Sequence, residues 1–83
     1  MVNQLFYTKR AVKDIEKLDR VAKKRLKRAL EKFSKKPFVY AEKLIDKRLG
    51  EYRFRVGDYR IIFDIINSKI IILRVGHRRE IYR

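Results

Sequence analysis

The 83 residues are 46% hydrophobic, enough to fill one core and too few for two, so a single domain over residues 1–83 is expected. Lysine and arginine outnumber aspartate and glutamate by 24 to 10, and the formal charge of +14 draws in phosphate backbones and acidic proteins. Cysteine is absent, which excludes disulfides and thiolate zinc sites; no segment resembles a secretory signal and no apolar run approaches the ~18 residues of a membrane span, so a protein of the reducing cytoplasm with no membrane partner is expected.

Val2 to Tyr7 alternates loosely and reads as an opening strand. Thr8 is placed to cap a helix whose apolar positions Ala11, Val12, Ile15 and Leu18 fall on one face of a 3.6-residue repeat. Asp19 then caps a second helix with the stripe Ala22, Leu26, Ala29, Leu30 and Phe33, and the tight Leu18-Asp19 connection folds the two into a helical hairpin. Lys23, Lys24, Arg25, Lys27, Arg28 and Lys32 cover the remaining faces of this helix. They read as a solvated surface, because the Asn, Gln and Ser that accompany base-reading helices are missing. Pro37 closes the helical region, and Phe38 to Leu49 reads as a connection in which Leu44, Ile45 and Leu49 fit either a short helical turn or an irregular crossing segment.

Tyr52 to Phe63 is the most informative stretch. Apolar and polar residues alternate up to Gly57-Asp58, and an aromatic and β-branched run follows, as in two antiparallel strands joined by a type II′ turn. That turn sets Val56 opposite Tyr59, Arg55 opposite Arg60 and Phe54 opposite Ile61. Tyr52, Phe54, Val56, Tyr59, Ile61 and Phe63 then share one face, and Arg53, Arg55 and Arg60 share the other. Like charges opposed across a ladder destabilise by about 0.2–1 kcal/mol, so this array is either a screened, solvated surface or a site for a polyanion.

The strand continues to Ile66, Asn67-Ser68 supplies turn chemistry, and Lys69 to Val75 forms a last strand. A two-residue turn at Asn67-Ser68 would place Arg74 on the core side. A three-residue loop that adds Lys69 keeps Arg74 beside Arg60, buries Val75, Leu73 and Ile71, sets Gly76 opposite Arg60, and is the expected form. The tail from Gly76 reads as too polar for burial. It can fold back so that His77, Arg78 and Tyr82 join the arginine face.

Two stretches, Leu49-Gly50-Glu51-Tyr52-Arg53-Phe54-Arg55-Val56-Gly57-Asp58-Tyr59-Arg60-Ile61-Ile62-Phe63 and Leu73-Arg74-Val75-Gly76-His77-Arg78-Arg79-Glu80-Ile81-Tyr82, resemble toxins of the RelE/ParE superfamily, in particular the RelE branch of ribosome-dependent messenger-RNA endonucleases. The resemblance implies an α+β fold in the order strand, helix, helix, strand, strand, strand, with the helical hairpin on one face of an antiparallel sheet. It also implies messenger RNA in the decoding (A) site of a 70S-type ribosome as substrate, and an acidic RelB-like antitoxin that wraps the toxin in a hetero-oligomer. It gives Arg53, Arg55, Arg60, Arg78 and Tyr82 as the residues that bind and cleave RNA, with Arg55, Arg60, Arg78 and Tyr82 as the catalytic set and Arg53 as an RNA contact; Arg74, His77 and Arg79, on the last strand and tail, are expected as further RNA contacts. The best-known member carries lysines at the positions of Arg53 and Arg55 and has a longer spacing from the Arg78 position to the Tyr82 position.

No clustered Asp, Glu and His set is present to hold a metal, since Asp58 and Asp64 are isolated and His77 is the single imidazole. Metal-independent, cofactor-free cleavage is the expectation: the ribose 2′-hydroxyl attacks the adjacent phosphorus and the 5′-oxygen leaves. Arginine stays protonated and cannot accept the 2′ proton; Tyr82, with an unperturbed pKa of about 10, is placed to stack on a base or, as the resemblance implies, to accept that proton, and His77, with one of about 6.5, is the alternative acid or base. Two other readings compete: a ParE-like toxin that inhibits DNA gyrase without nucleolytic chemistry, and a non-catalytic module that binds RNA or antitoxin.

Overall fold

The structure, a computed structural model, describes residues 4–45 and 48–81. β1 (Gln4–Tyr7) leads into Thr8, whose Oγ1 accepts from the Ala11 N–H and opens α1 (Lys9–Glu16). Asp19 accepts from the Ala22 N–H at 2.7 Å and opens α2 (Arg20–Lys35), so both caps stand where the side-chain chemistry puts them. Pro37 ends α2 but starts the one-turn α3 (Pro37–Tyr40), at a first helical position where a missing N–H costs nothing. A two-residue strand, β2 (Glu42–Lys43), follows, and the expected connection therefore contributes two short elements. β3 (Tyr52–Val56), β4 (Tyr59–Ile66) and β5 (Lys69–His77) complete the chain's α+β fold. Among the described residues no helix is long and apolar enough to cross a membrane.

The strands lie in the order β1-β5-β4-β3-β2. β1 runs parallel to β5 while every other pair is antiparallel, so the sheet is mixed where a purely antiparallel one was expected. The helices and three strands between β1 and β5 supply the long crossover that a parallel pair needs. α1 and α2 cover one face, where Phe33 stacks on Phe54 at 4.4 Å between ring centres and meets Phe63 edge-on at 4.8 Å. Leu26, Leu30, Ile61, Ile70, Ile72 and Val75 close the main core around them.

The β3–β4 hairpin has the anticipated register, with Arg55 facing Arg60 across a Gly57-Asp58 turn and Gly57 at φ 57°. The second hairpin differs from expectation. Ile66 pairs with Lys69, so the loop is Asn67-Ser68 alone, with Asn67 at φ 58°. Asn tolerates that left-handed conformation, which allows the shorter loop. A bulge then shifts the register between Ile62 and Phe63: Phe63 pairs with Ile72, Ile62 with Arg74. Leu73 is the extra residue. Ile70 and Ile72 enter the main core before the bulge and Val75 after it, Ile71 is only part-buried, and Gly76 comes to lie opposite Arg60 as expected.

The other face of the sheet carries a second, smaller cluster. Ile62 is fully buried there beneath Leu44 and Ile81, with Leu49 and Leu73 packed against them. A Cβ at residue 50 would come within 2.6 Å of Ile62 Cγ2, so only glycine lets that loop lie on the strand. The polar tail contributes as well: the Ile81 N–H donates to the His77 carbonyl, closing a turn that sets Ile81 over Gly76 with 1% exposure. The expectation of an unburied tail is thereby corrected.

Phe33→Ala should cost about 3–5 kcal/mol in chemical denaturation. Val21→Ala, at a side chain two-thirds exposed on the same helix, should stay within about 0.5 kcal/mol.

Candidate nucleic-acid interface

Strand pairing lays the polar face out in two rows. The first runs Glu42, Arg53, Ile62, Arg74 across β2 to β5, and the second runs Arg55, Arg60, Gly76 across β3 to β5. Arg53 and Arg55, two residues apart on one strand, therefore stand side by side, and Arg60 faces Arg55 from the next strand. The opposed pair avoids a clash by turning apart: Arg55 reaches Glu42 Oε1 on β2 at 2.9 Å, whereas Arg60 Nη1 donates to the carbonyls of Gly57, at 2.8 Å, and Tyr59, at 3.0 Å.

The Gly57-Asp58 turn ties Arg60 to the tail. The Arg78 N–H donates to the Asp58 carbonyl at 2.8 Å, and Arg78 Nε lies 3.8 Å from Asp58 Oδ1. Arg60 and Arg78, far apart in sequence, are thus both anchored on one two-residue turn. Arg25 of α2, which sequence reasoning assigned to a solvated face, reaches the same turn from the helix side of the sheet, since a Cβ at residue 57 would lie 3.1 Å from its Nη2. Only the helical register of Arg25, combined with the way α2 packs, could have revealed this.

Two residues grouped with the RNA contacts stand elsewhere. Arg74 turns to the sheet edge, where its Nε donates to Asp14 Oδ2 at 3.0 Å. Asp14, 8% exposed on α1, accepts from the Val75 N–H as well and lies 3.6 Å from Arg10 Nε. β1 pairs with β5 only as far as Ile72; beyond it Thr8 Oγ1 donates to the Leu73 carbonyl, and Asp14 takes the place of a neighbouring strand. Sequence reasoning missed Asp14, whose one signal was a carboxylate inside an otherwise apolar and basic helix. His77 pairs with Tyr59, whose ring it meets at 5.8 Å, so it stands on the helix side of the sheet and not among the arginines. Its Nδ1 accepts from the Arg79 N–H at 3.2 Å, in the exposed turn where Arg79 lies. Tyr82 lies outside the described residues.

Partial burial pushes the Tyr7 phenol above its usual pKa on the β1 edge, and Tyr7 takes no part in this face. The arrangement offers three guanidiniums on the sheet and a fourth at the turn, each able to donate in a planar fork to phosphate oxygens.

Residues 5–82 match the family model described as the ParE toxin of the type II toxin–antitoxin system parDE. The chain belongs to this family. It is a toxin of the RelE/ParE superfamily, and toxin RelE3 of Methanocaldococcus jannaschii is 32% identical to it over 95% of this chain and 94% of the relative. Among solved structures, the RelBE2 toxin–antitoxin complex of Mycobacterium tuberculosis aligns with TM-score 0.80 at 27% identity, covering 94% of this chain and all of that one. A mutant of E. coli toxin RelE in the free state aligns with TM-score 0.78 at 25% identity, covering 99% and 92% respectively. The toxin is thus RelE-like in fold and in sequence relatives, within a family described by ParE.

Asp14→Ala should lower stability by about 1–3 kcal/mol, because it strands the Val75 N–H and the Arg74 guanidinium. Amide exchange at Val75 should accelerate with it, while Arg55→Ala leaves both within error.

Proposed function

We propose that this toxin is a metal-independent, ribosome-dependent messenger-RNA endonuclease that blocks translation and is held in check by an acidic RelB-like antitoxin in a cytoplasmic hetero-oligomer. The observation that carries the reading is the alignment of Arg53, Arg55 and Arg60 on one sheet face, with Arg78 fastened to the turn beside Arg60. Solved relatives from M. tuberculosis and M. jannaschii are toxin–antitoxin complexes, which supports the antitoxin partner.

In the proposed reaction the 2′-oxygen of a ribose bonds to the adjacent phosphorus as the bond to the 5′-oxygen breaks, leaving a 2′,3′-cyclic phosphate and a 5′-hydroxyl. Arg55, Arg60 and Arg78 neutralise the charge that builds on the pentacoordinate phosphorus, and Arg53 orients the backbone. One group must accept the 2′ proton and another must supply one to the leaving oxygen. His77 faces the other side of the sheet, which supports Tyr82 as the acceptor; a phenol with an unperturbed pKa of about 10 would need cations beside it to serve as a base. The face is an open surface, so a ribosome that orders the substrate would supply the positioning that a cleft provides elsewhere.

A second reading is favoured by the match to the ParE family model: a ParE-type toxin, for which the sequence resemblance implies action on DNA gyrase without nucleolytic chemistry. Sequencing of messenger-RNA 3′ ends after brief induction separates the two, with codon-phased cuts expected here and DNA damage without cuts expected for the gyrase reading. Arg60→Ala and Arg78→Ala should each abolish growth arrest while leaving thermal unfolding intact; continued arrest in both would overturn the site. Tyr82→Phe should slow cleavage far more than it weakens binding, whereas equal losses would reduce Tyr82 to a stacking role.

A further inference from the structure

The carboxylate of Glu42 occupies the arginine face in the way a phosphate would. Its Oε1 lies 2.9 Å from Arg55 Nε and its Oε2 lies 3.3 Å from Arg53 Nη2, so one anion bridges two guanidiniums with both oxygens. β2 is the element that brings it there: a two-residue strand at the sheet edge, paired so that Glu42 is the direct cross-strand neighbour of Arg53. The side chain is 42% exposed and Arg55 more than half exposed, so the bridge is open to competition from solvent and from a stronger anion.

We propose that Glu42 is a specificity-determining residue, an internal stand-in for a backbone phosphate that RNA must displace to engage Arg53 and Arg55. The inference rests on the reading of this face as an RNA site. A carboxylate and a phosphodiester each carry one negative charge and both fit a guanidinium fork, so what lets the phosphodiester displace Glu42 is the set of further contacts that hold it in register at Arg60 and Arg78. Loose or poorly placed polyanions, which offer no such additional contacts, compete with Glu42 at a disadvantage. The carboxylate thus lowers non-specific RNA binding by a protein whose charge of +14 otherwise promotes it.

The test uses the full chain and a short single-stranded 2′-O-methyl RNA, which cannot be cut, with binding followed by fluorescence anisotropy at fixed salt. Glu42→Gln should tighten binding about three- to tenfold, the range expected for release of two exposed ion pairs. Glu31→Gln makes the same change of net charge at an exposed site on α2 and should tighten it less than twofold. In an Arg53→Ala/Arg55→Ala background the effect of Glu42→Gln should vanish, since nothing remains for the carboxylate to occupy. A gain no larger than that of Glu31→Gln, a gain that persists without the two arginines, or no measurable binding by either protein would overturn the proposal. Because the probe is uncleavable, absence of nuclease activity in the wild-type toxin would count against the endonuclease reading while leaving this comparison intact.

Discussion

β4 lies between β3 and β5, and its register with each decides which side of the sheet every arginine occupies. Side chains alternate with a period of two, so a slip of one residue at either interface would send Arg60 into the core or bring an aromatic ring to the surface. On the β3 side the register is set by a two-residue turn with Gly57 in the left-handed region. On the β5 side it is reached in two steps: a turn one residue shorter than the charge pattern suggests, then a bulge at Leu73 that restores the offset. The bulge lets one strand place Ile70, Ile72 and Val75 in the same core while Gly76 faces Arg60.

Concentrated positive charge on that face is tolerated because the free protein answers it internally. Glu42 bridges Arg53 and Arg55, the turn carbonyls accept from Arg60, Asp58 approaches Arg78, and Asp14 holds Arg74 away from the others. Exposed pairs of this kind contribute about 0.2–1 kcal/mol each, small enough for a phosphate with several simultaneous contacts to displace them. Asp14 differs, being nearly buried and bonded to a backbone N–H, so its contact with Arg74 belongs to the scaffold. Five cationic side chains that look alike in sequence thereby divide into four presented around one face and one consumed by the fold.

The parts legible in the sequence are those in which local chemistry and hydrophobic period agree. Thr8 and Asp19 combine a capping oxygen with an apolar stripe beginning three residues later, and Gly57-Asp58 combines turn chemistry with alternation on both sides. The α+β class itself came from the resemblance to the RelE/ParE superfamily, with which these elements agree. What stayed hidden depended on partners distant in the chain. Glu42 and Asp14 are ordinary surface acids until strand pairing sets the first beside Arg53 and the packing of α1 on β5 sets the second beside Val75. The Leu73 bulge could not be foreseen because both offsets satisfy the pattern of Ile and Leu around it, and the parallel β1–β5 pair has no local signature at all. His77 was drawn toward the arginines by its position in the sequence, yet alternation after the bulge carries it to the other side.

Family membership and RelE relatives place the toxin among proteins built on this scaffold, and the proposed chemistry rests on the arginine face. The most direct measurement of that account is a nuclear magnetic resonance titration of the arginine Nε–Hε signals with a short uncleavable single-stranded RNA. The resonances of Arg53, Arg55, Arg60 and Arg78 should move together along one binding curve while that of Arg74, held by Asp14, stays in place. Movement confined to the basic residues of α2, with the sheet arginines unchanged, would contradict it.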